Sequence, residues 1–225
     1  MRSVLRRPLT PYYLILGATV LLTTLGLVMV LSASSVESYV ANGSSYAVAQ
    51  KQAIWVAIGV PMLLVASRLP IRFFRALAIP MMVVALVLLV LVLVPGIGVS
   101  VNGNQNWIQF GGPFRIQPAE AAKLALVLWG SDLLVRKRRL LSQYRHLMVP
   151  LLPVAALVIG LVLLGGDLGT SLILMAIVAG LLFVAGAPLR LFVLVGGVAL
   201  GVILFMTLER SARLSRFQSF LDPFA

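Results

Sequence analysis

Charged side chains are scarce in this chain, so those that interrupt its apolar runs are where chemistry is to be sought. Gln117, Glu120 and Lys123 lie along the start of one apolar stretch. Glu120 and Lys123 are three residues apart, so on a helix they share a face and reach each other. Pro118 suits the first turn of such a helix. Two readings stand open. The pair neutralises itself at a helix start, where the dipole also favours Glu120, or it lines a cavity that opens outward. Asp132 and Arg136, four apart, read as a structural pair. Asp167 precedes Leu168-Gly169-Thr170-Ser171 and reads as a helix N-cap, placed where a substrate would arrive. In 209–222, Arg210, Arg213 and Arg216 recur every three residues beside Leu214, Phe217, Phe220 and Leu221. That pattern fits an interfacial amphipathic helix stopped at Asp222 by Pro223. Arginine forks match phosphate oxygens, so the helix suits anionic headgroups or, more sharply, a pyrophosphate.

Composition removes several classes of function. Hydrophobic residues make up 61% of the 225 and charged ones 11%, against about 25% charged in a soluble domain. The chain needs lipid as its solvent. With no cysteine, disulfides and thiolate catalysis are excluded, and the single histidine, His146, builds no multi-histidine metal site. No metal ligand set or cofactor motif is evident, and a divalent cation is not readable from the sequence. The net charge of +12 would suggest nucleic acid in a soluble protein, but here the basic residues are scattered between apolar runs. No nucleic-acid partner is expected.

Those residues must be positioned by membrane spans of about 20 apolar residues each. Seven stretches qualify, near 12–33, 52–66, 76–94, 117–135, 147–164, 168–187 and 189–207. The expected fold is an all-α polytopic integral membrane protein. The block 147–190 is about twice the length of one span, so a turn is expected at Gly165-Gly166-Asp167. The basic 1–11 segment precedes an apolar run too long for a signal peptide, which reads as an uncleaved first span. With the N-terminus cytoplasmic, twelve of the eighteen Lys and Arg fall inside, five fall outside, and Lys123 lies within a helix. Three outer regions follow: 34–50, rich in serine; 96–116, with glycines and prolines; and a loop opening at 208.

At these residues the chain resembles the SEDS family (shape, elongation, division and sporulation). Asn102-Gly103-Asn104-Gln105-Asn106-Trp107-Ile108, followed by Gln117-Pro118-Ala119-Glu120, looks like the family's N-G-x-x-R-W-I and Q-P-S-E blocks. Asp167-Leu168-Gly169-Thr170 resembles its Q-P-D-x-G-T, and 216–223 resembles its R-x-x-x-F-L-D-P. Asn106 stands where the family usually has arginine, Ala119 where it has serine, and Gly165-Gly166 where it has Gln-Pro. The loop wording is similar to that of division-type members from high-GC Gram-positive bacteria.

The resemblance implies a ten-span fold, of which this chain would supply about seven spans as an N-terminal fragment forming one membrane domain. It implies a peptidoglycan glycosyltransferase of the bacterial plasma membrane, working at the division septum. The substrate would be lipid II (undecaprenyl-pyrophosphate-linked disaccharide peptide). The partners would be a class B penicillin-binding protein and other divisome membrane proteins. The family's proposed catalytic aspartate would lie beyond residue 225, so no catalytic residue is expected here. Glu120, Lys123, Asp167, Arg210, Arg213 and Arg216 are the candidate substrate contacts. Asn102, Gly103, Trp107, Gln117, Pro118, Gly169, Thr170, Asp222 and Pro223 carry the motifs. A lipid II flippase and a non-catalytic scaffold are the competing readings.

Overall fold

The computed structural model describes residues 9–101, 103–109, 115–138 and 149–209. They form α1 (Thr10–Asn42), α2 (Ala47–Arg68), α3 (Ile71–Leu93), β1 (Gly98–Val101), β2 (Asn104–Gln109), β3 (Arg115–Ile116), α4 (Pro118–Arg136), α5 (Leu151–Leu164), α6 (Leu168–Val184) and α7 (Leu189–Glu209). By length and composition, α1, α2 and α3 each carry a stretch that crosses a membrane, and α5, α6 and α7 through Leu204 are shorter apolar helices. The chain is a helical membrane protein.

The chain divides into residues 1–69 and 70–225. In the first unit α1 packs on α2. The serine-rich region 34–50, expected as a loop, is mostly helix. Ser34 Oγ donates to the Val30 carbonyl at 2.6 Å and Ser35 Oγ to that of Ser32 at 3.1 Å, so these hydroxyls bond back onto the helix instead of ending it. The helix stops at Gly43, whose φ of 69° only glycine adopts freely. Ser38 Oγ then donates to the Ser44 carbonyl at 2.6 Å and ties the turn. Helix α2 accordingly begins at Ala47, five residues before the expected 52, and has 22 residues.

In the second unit α4 is the hub, packed on α3, α5 and α6, with α7 against α6. Helix α3 buries Ala78, Met82, Ala85, Leu89 and Val92, which recur at helical spacing. Met82, Ala85 and Leu89 share one core cluster with Ala119, Ala122, Ala125 and Leu126 of α4. Alanines on both sides let the backbones approach closely, the usual basis of packing where lipid removes the hydrophobic drive.

The region 96–116, expected on the outer side, is regular in its described residues. It carries an antiparallel sheet of order β1-β2-β3, the departure from an all-helical chain among the described residues. Gly98 pairs with Ile108 and Val101 with Asn104, while Gln109 pairs with Arg115. Gly103, with φ of 81°, makes the turn between β1 and β2. Gly98 is required for a different reason, because a Cβ there would lie 1.8 Å from the Val92 carbonyl oxygen. Gln105 Nε2 donates to that same oxygen at 3.1 Å and fastens β2 to the end of α3.

Candidate functional site

Three separate stretches of sequence meet at the hairpin end of the second unit, and Asp167 joins them. It caps α6, with Oδ1 accepting from the Thr170 backbone N–H at 3.0 Å. Its Oδ2 accepts from Asn106 Nδ2 of β2 at 2.9 Å, from Gln117 Nε2 at the start of α4 at 3.0 Å, and from Thr170 Oγ1 at 2.9 Å. Ser171, fully buried, donates from Oγ to the Asp167 carbonyl at 2.8 Å. The expected turn at the two glycines has a steric basis. Gly166 takes a φ of 83°. Gly165 accepts from the Gln105 backbone N–H at 2.9 Å, and a Cβ on it would stand 2.8 Å from the Gln105 carbonyl oxygen. The family's glutamine would collide here, so Gly165 matches the close approach of β2.

Burial works against ionisation of Asp167. Donation from the Thr170 backbone, from Asn106, from the Thr170 hydroxyl and from Gln117 outweighs it and holds the carboxyl below its ordinary value. A carboxylate so committed is a poor general base and a good clamp. Asn106 gives only its amide nitrogen to this junction. Its Oδ1 is buried with no hydrogen-bond partner.

One turn into α4, Lys123 Nζ lies 2.8 Å from Glu120 Oε1, the expected i,i+3 pair. Glu120 is 59% exposed and Lys123 22%. The pair is therefore a surface feature of the described residues, available to a ligand, and not a buried bridge. Pro118 is fully buried at the first turn and Gln117 is the N-cap residue.

At the opposite end of α4, Asp132 holds two arginines. Arg136 Nη2 is 2.7 Å from Oδ2, as the i,i+4 spacing suggests, and Arg75 Nε of α3 is 2.9 Å from Oδ1. The Asp132 side chain is only 4% exposed. The partnership of Arg75 is new relative to the sequence reading, because 57 residues separate it from Asp132.

The structure thus brings together Gln117, Asp167 and Thr170, with Trp107 half-buried on the same strand as Asn106. Gly169 proves less constrained than its motif position suggests, since a Cβ there meets only Asp167 Oδ1 at an ordinary 3.8 Å. Asn102, Arg210, Arg213, Arg216, Asp222 and Pro223 lie outside the described residues. Gln105, Asn106 and Ser171 went unassigned in the sequence reading. The Asn102-Gly103 pair between two strand-like runs was the signal for the hairpin that presents the first two.

The chain is similar to known proteins along most of its length. The family model of the FtsW, RodA and SpoVE cell cycle proteins matches residues 12–225. The chain is 39% identical over 221 residues to the probable peptidoglycan glycosyltransferase FtsW of Mycobacterium tuberculosis, covering 97% of this chain and 42% of that protein. A chain from a peptidoglycan synthase complex, solved to show how polymerization and crosslinking are coordinated, aligns with a TM-score of 0.61 at 31% identity. That match covers 89% of this chain and 59% of the other. The rod shape determining protein RodA of Thermus thermophilus aligns at 0.57 and 29% identity, covering 80% and 58%. The chain therefore spans about half the length of the proteins it matches.

Proposed function

The chain belongs to the FtsW, RodA and SpoVE family of cell cycle proteins, and on that premise we propose that the protein is a peptidoglycan glycosyltransferase that polymerises lipid II during septal wall synthesis. The observation that carries the reading is the junction at Asp167. Residues 104–109, 117–123 and 165–171 are far apart in sequence, yet their polar groups converge on one carboxylate at the end of α4 that bears Lys123.

Glycosyl transfer from a diphosphate carrier makes two demands. A base must take the proton of the acceptor hydroxyl, and cations must hold the leaving diphosphate. The described residues suit the second demand. Lys123 carries the charge, Glu120 orients it, and Asp167 fixes the hairpin and two helix starts around it. Arg210, Arg213 and Arg216 are the further cations assigned to the diphosphate. The family resemblance implies that the base lies in a later part of the fold, and the donors that hold the Asp167 carboxyl below its ordinary value suit it to clamping instead.

In this reading the hairpin end faces outward and the arginine-rich end faces the cytoplasm, which agrees with the positive-inside rule. The protein works at the septum of the plasma membrane with a class B penicillin-binding protein and other divisome proteins. The test is polymerisation of lipid II by the full-length protein in liposomes with that partner. Glycan chains are expected, with Lys123→Met folded but turning over far more slowly at limiting lipid II. Folded protein that moves lipid II across the bilayer without making polymer would overturn the reading in favour of a flippase.

A further inference from the structure

The two ends of the second unit differ sharply in charge. At the hairpin end, Arg115 and Lys123 are matched by Glu120 and Asp167. At the other end the described residues include Arg72, Arg75, Arg136, Lys137, Arg138 and Arg190, against the single carboxylate of Asp132. That carboxylate is already shared by two guanidiniums, both about half exposed. Lys137 donates to the Val149 carbonyl, and positive charge still exceeds negative at this end among the described residues.

Two apolar grooves run up to this basic end. One, of about 560 Å³, lies between α4 and α6, walled by Val127 and Val135 on one side and Ile177, Gly180 and Val184 on the other, with Arg138 at its mouth. The second, of about 350 Å³, lies between α3 and α4, lined by Phe74 and Leu128 and bordered by Arg75 and Asp132. The grooves share Ser131 and Val135, so they flank one helix end. Apolar channels on either side of a helix, each ending at an arginine, match one amphiphile: acyl chains in the grooves and a phosphate at the guanidiniums.

We infer that this end of α4 is a binding site for an anionic diacyl phospholipid, with an acyl chain seated between α4 and α6 and its phosphate held by Arg138. Charge complementarity selects the headgroup. Basic pockets between membrane helices hold anionic lipid heads in this way, and arginine meets a phosphate with two parallel hydrogen bonds. Gly180 leaves the groove open, because a Cβ added there meets nothing within 4 Å. The site is separate from the junction at Asp167 and does not depend on the proposed polymerase activity.

The test uses the intact chain, stripped of lipid in detergent and titrated with phosphatidylglycerol or phosphatidylcholine, with retained lipid counted by native mass spectrometry. One phosphatidylglycerol per chain is expected at concentrations where phosphatidylcholine is not retained. Arg138→Gln changes an exposed side chain and should weaken retention about fivefold, the equivalent of about 1 kcal/mol. Gly180→Leu fills the groove, keeps every charge and improves helix propensity, and should weaken retention at least about tenfold. Equal retention of the two lipids would overturn the inference. So would wild-type binding by Gly180→Leu, which would assign the attraction to surface charge alone.

Discussion

Replacing Asp167 tests whether one carboxylate holds the hairpin end together. Asp167→Ala removes an N-cap, worth about 1 kcal/mol, and strands the amides of Asn106 and Gln117 and the Thr170 hydroxyl. A stranded donor costs about 1–3 kcal/mol when buried. Water reaches this half-buried site, so the lower end of that range applies to each donor, and the expected loss is about 3–5 kcal/mol. Asp167→Asn should be milder. Asparagine caps as well as aspartate, and Asn106 has a spare buried acceptor in Oδ1. By turning its amide over, Asn106 meets the new NH2 with an oxygen, leaving an expected loss of about 1–3 kcal/mol.

The pH dependence follows from the same bonds. A carboxyl held below its ordinary value when folded contributes stability that is present above the ordinary 3.8 and lost as the pH falls through that value toward the folded one. Thermal unfolding of the intact chain in detergent, followed by far-ultraviolet circular dichroism, should rank wild type above Asn above Ala at neutral pH. The gap between wild type and Asn should close in acid. An Ala variant that unfolds with wild type, or a gap that does not narrow as the pH falls below 3.8, would refute the junction.

The Glu120–Lys123 pair should matter little to stability. Exposed pairs contribute about 0–1 kcal/mol, so Glu120→Gln and Lys123→Met should each leave folded yield near wild type, and a collapse in yield would contradict its surface position. Asp132→Asn should cost about 1–3 kcal/mol, because two charge-assisted hydrogen bonds are lost while the half-exposed arginines turn to solvent, and it should show as a lower melting temperature. Gly165→Ala should push β2 away and destabilise by about 1–3 kcal/mol, while Gly169→Ala should be neutral; equal melting of the two would refute the close-approach argument. Cysteines replacing Asn104 and Arg190 should differ in reactivity toward an impermeant thiol reagent in intact cells, Asn104→Cys labelling and Arg190→Cys not.

What the sequence made legible was local. The Glu120–Lys123 and Asp132–Arg136 pairs and the Asp167 cap follow from spacings of three or four residues, where helix geometry alone sets the distances, and the break at Gly165-Gly166 follows from the length of the apolar block 147–190. The junction itself was not legible. Asn106 and Gln117 reach Asp167 across 61 and 50 residues, and no periodicity encodes such a meeting. The partnership of Arg75 with Asp132 was hidden in the same way, across 57 residues. The serine-rich segment misled because serine is a loop former in water. In α1 its hydroxyls find carbonyls of the preceding turn. Family resemblance singled out the blocks around Trp107, Gln117 and Asp167 as motifs, but that they meet at one carboxylate came from the structure.

The central claim is that a lipid-linked diphosphate sugar is held at the hairpin end, beside Lys123 and the Asp167 junction. It is tested most directly by photocrosslinking a lipid II analogue, with its reactive group next to the diphosphate, to the full-length protein in liposomes and mapping the adduct by mass spectrometry. The account predicts adducts in the first turns of α4 and in β2, reduced in Lys123→Met and competed away by unlabelled lipid II. Adducts confined to the basic end near Arg75 and Arg138, or adducts at the hairpin end that unlabelled lipid II does not displace, would contradict it.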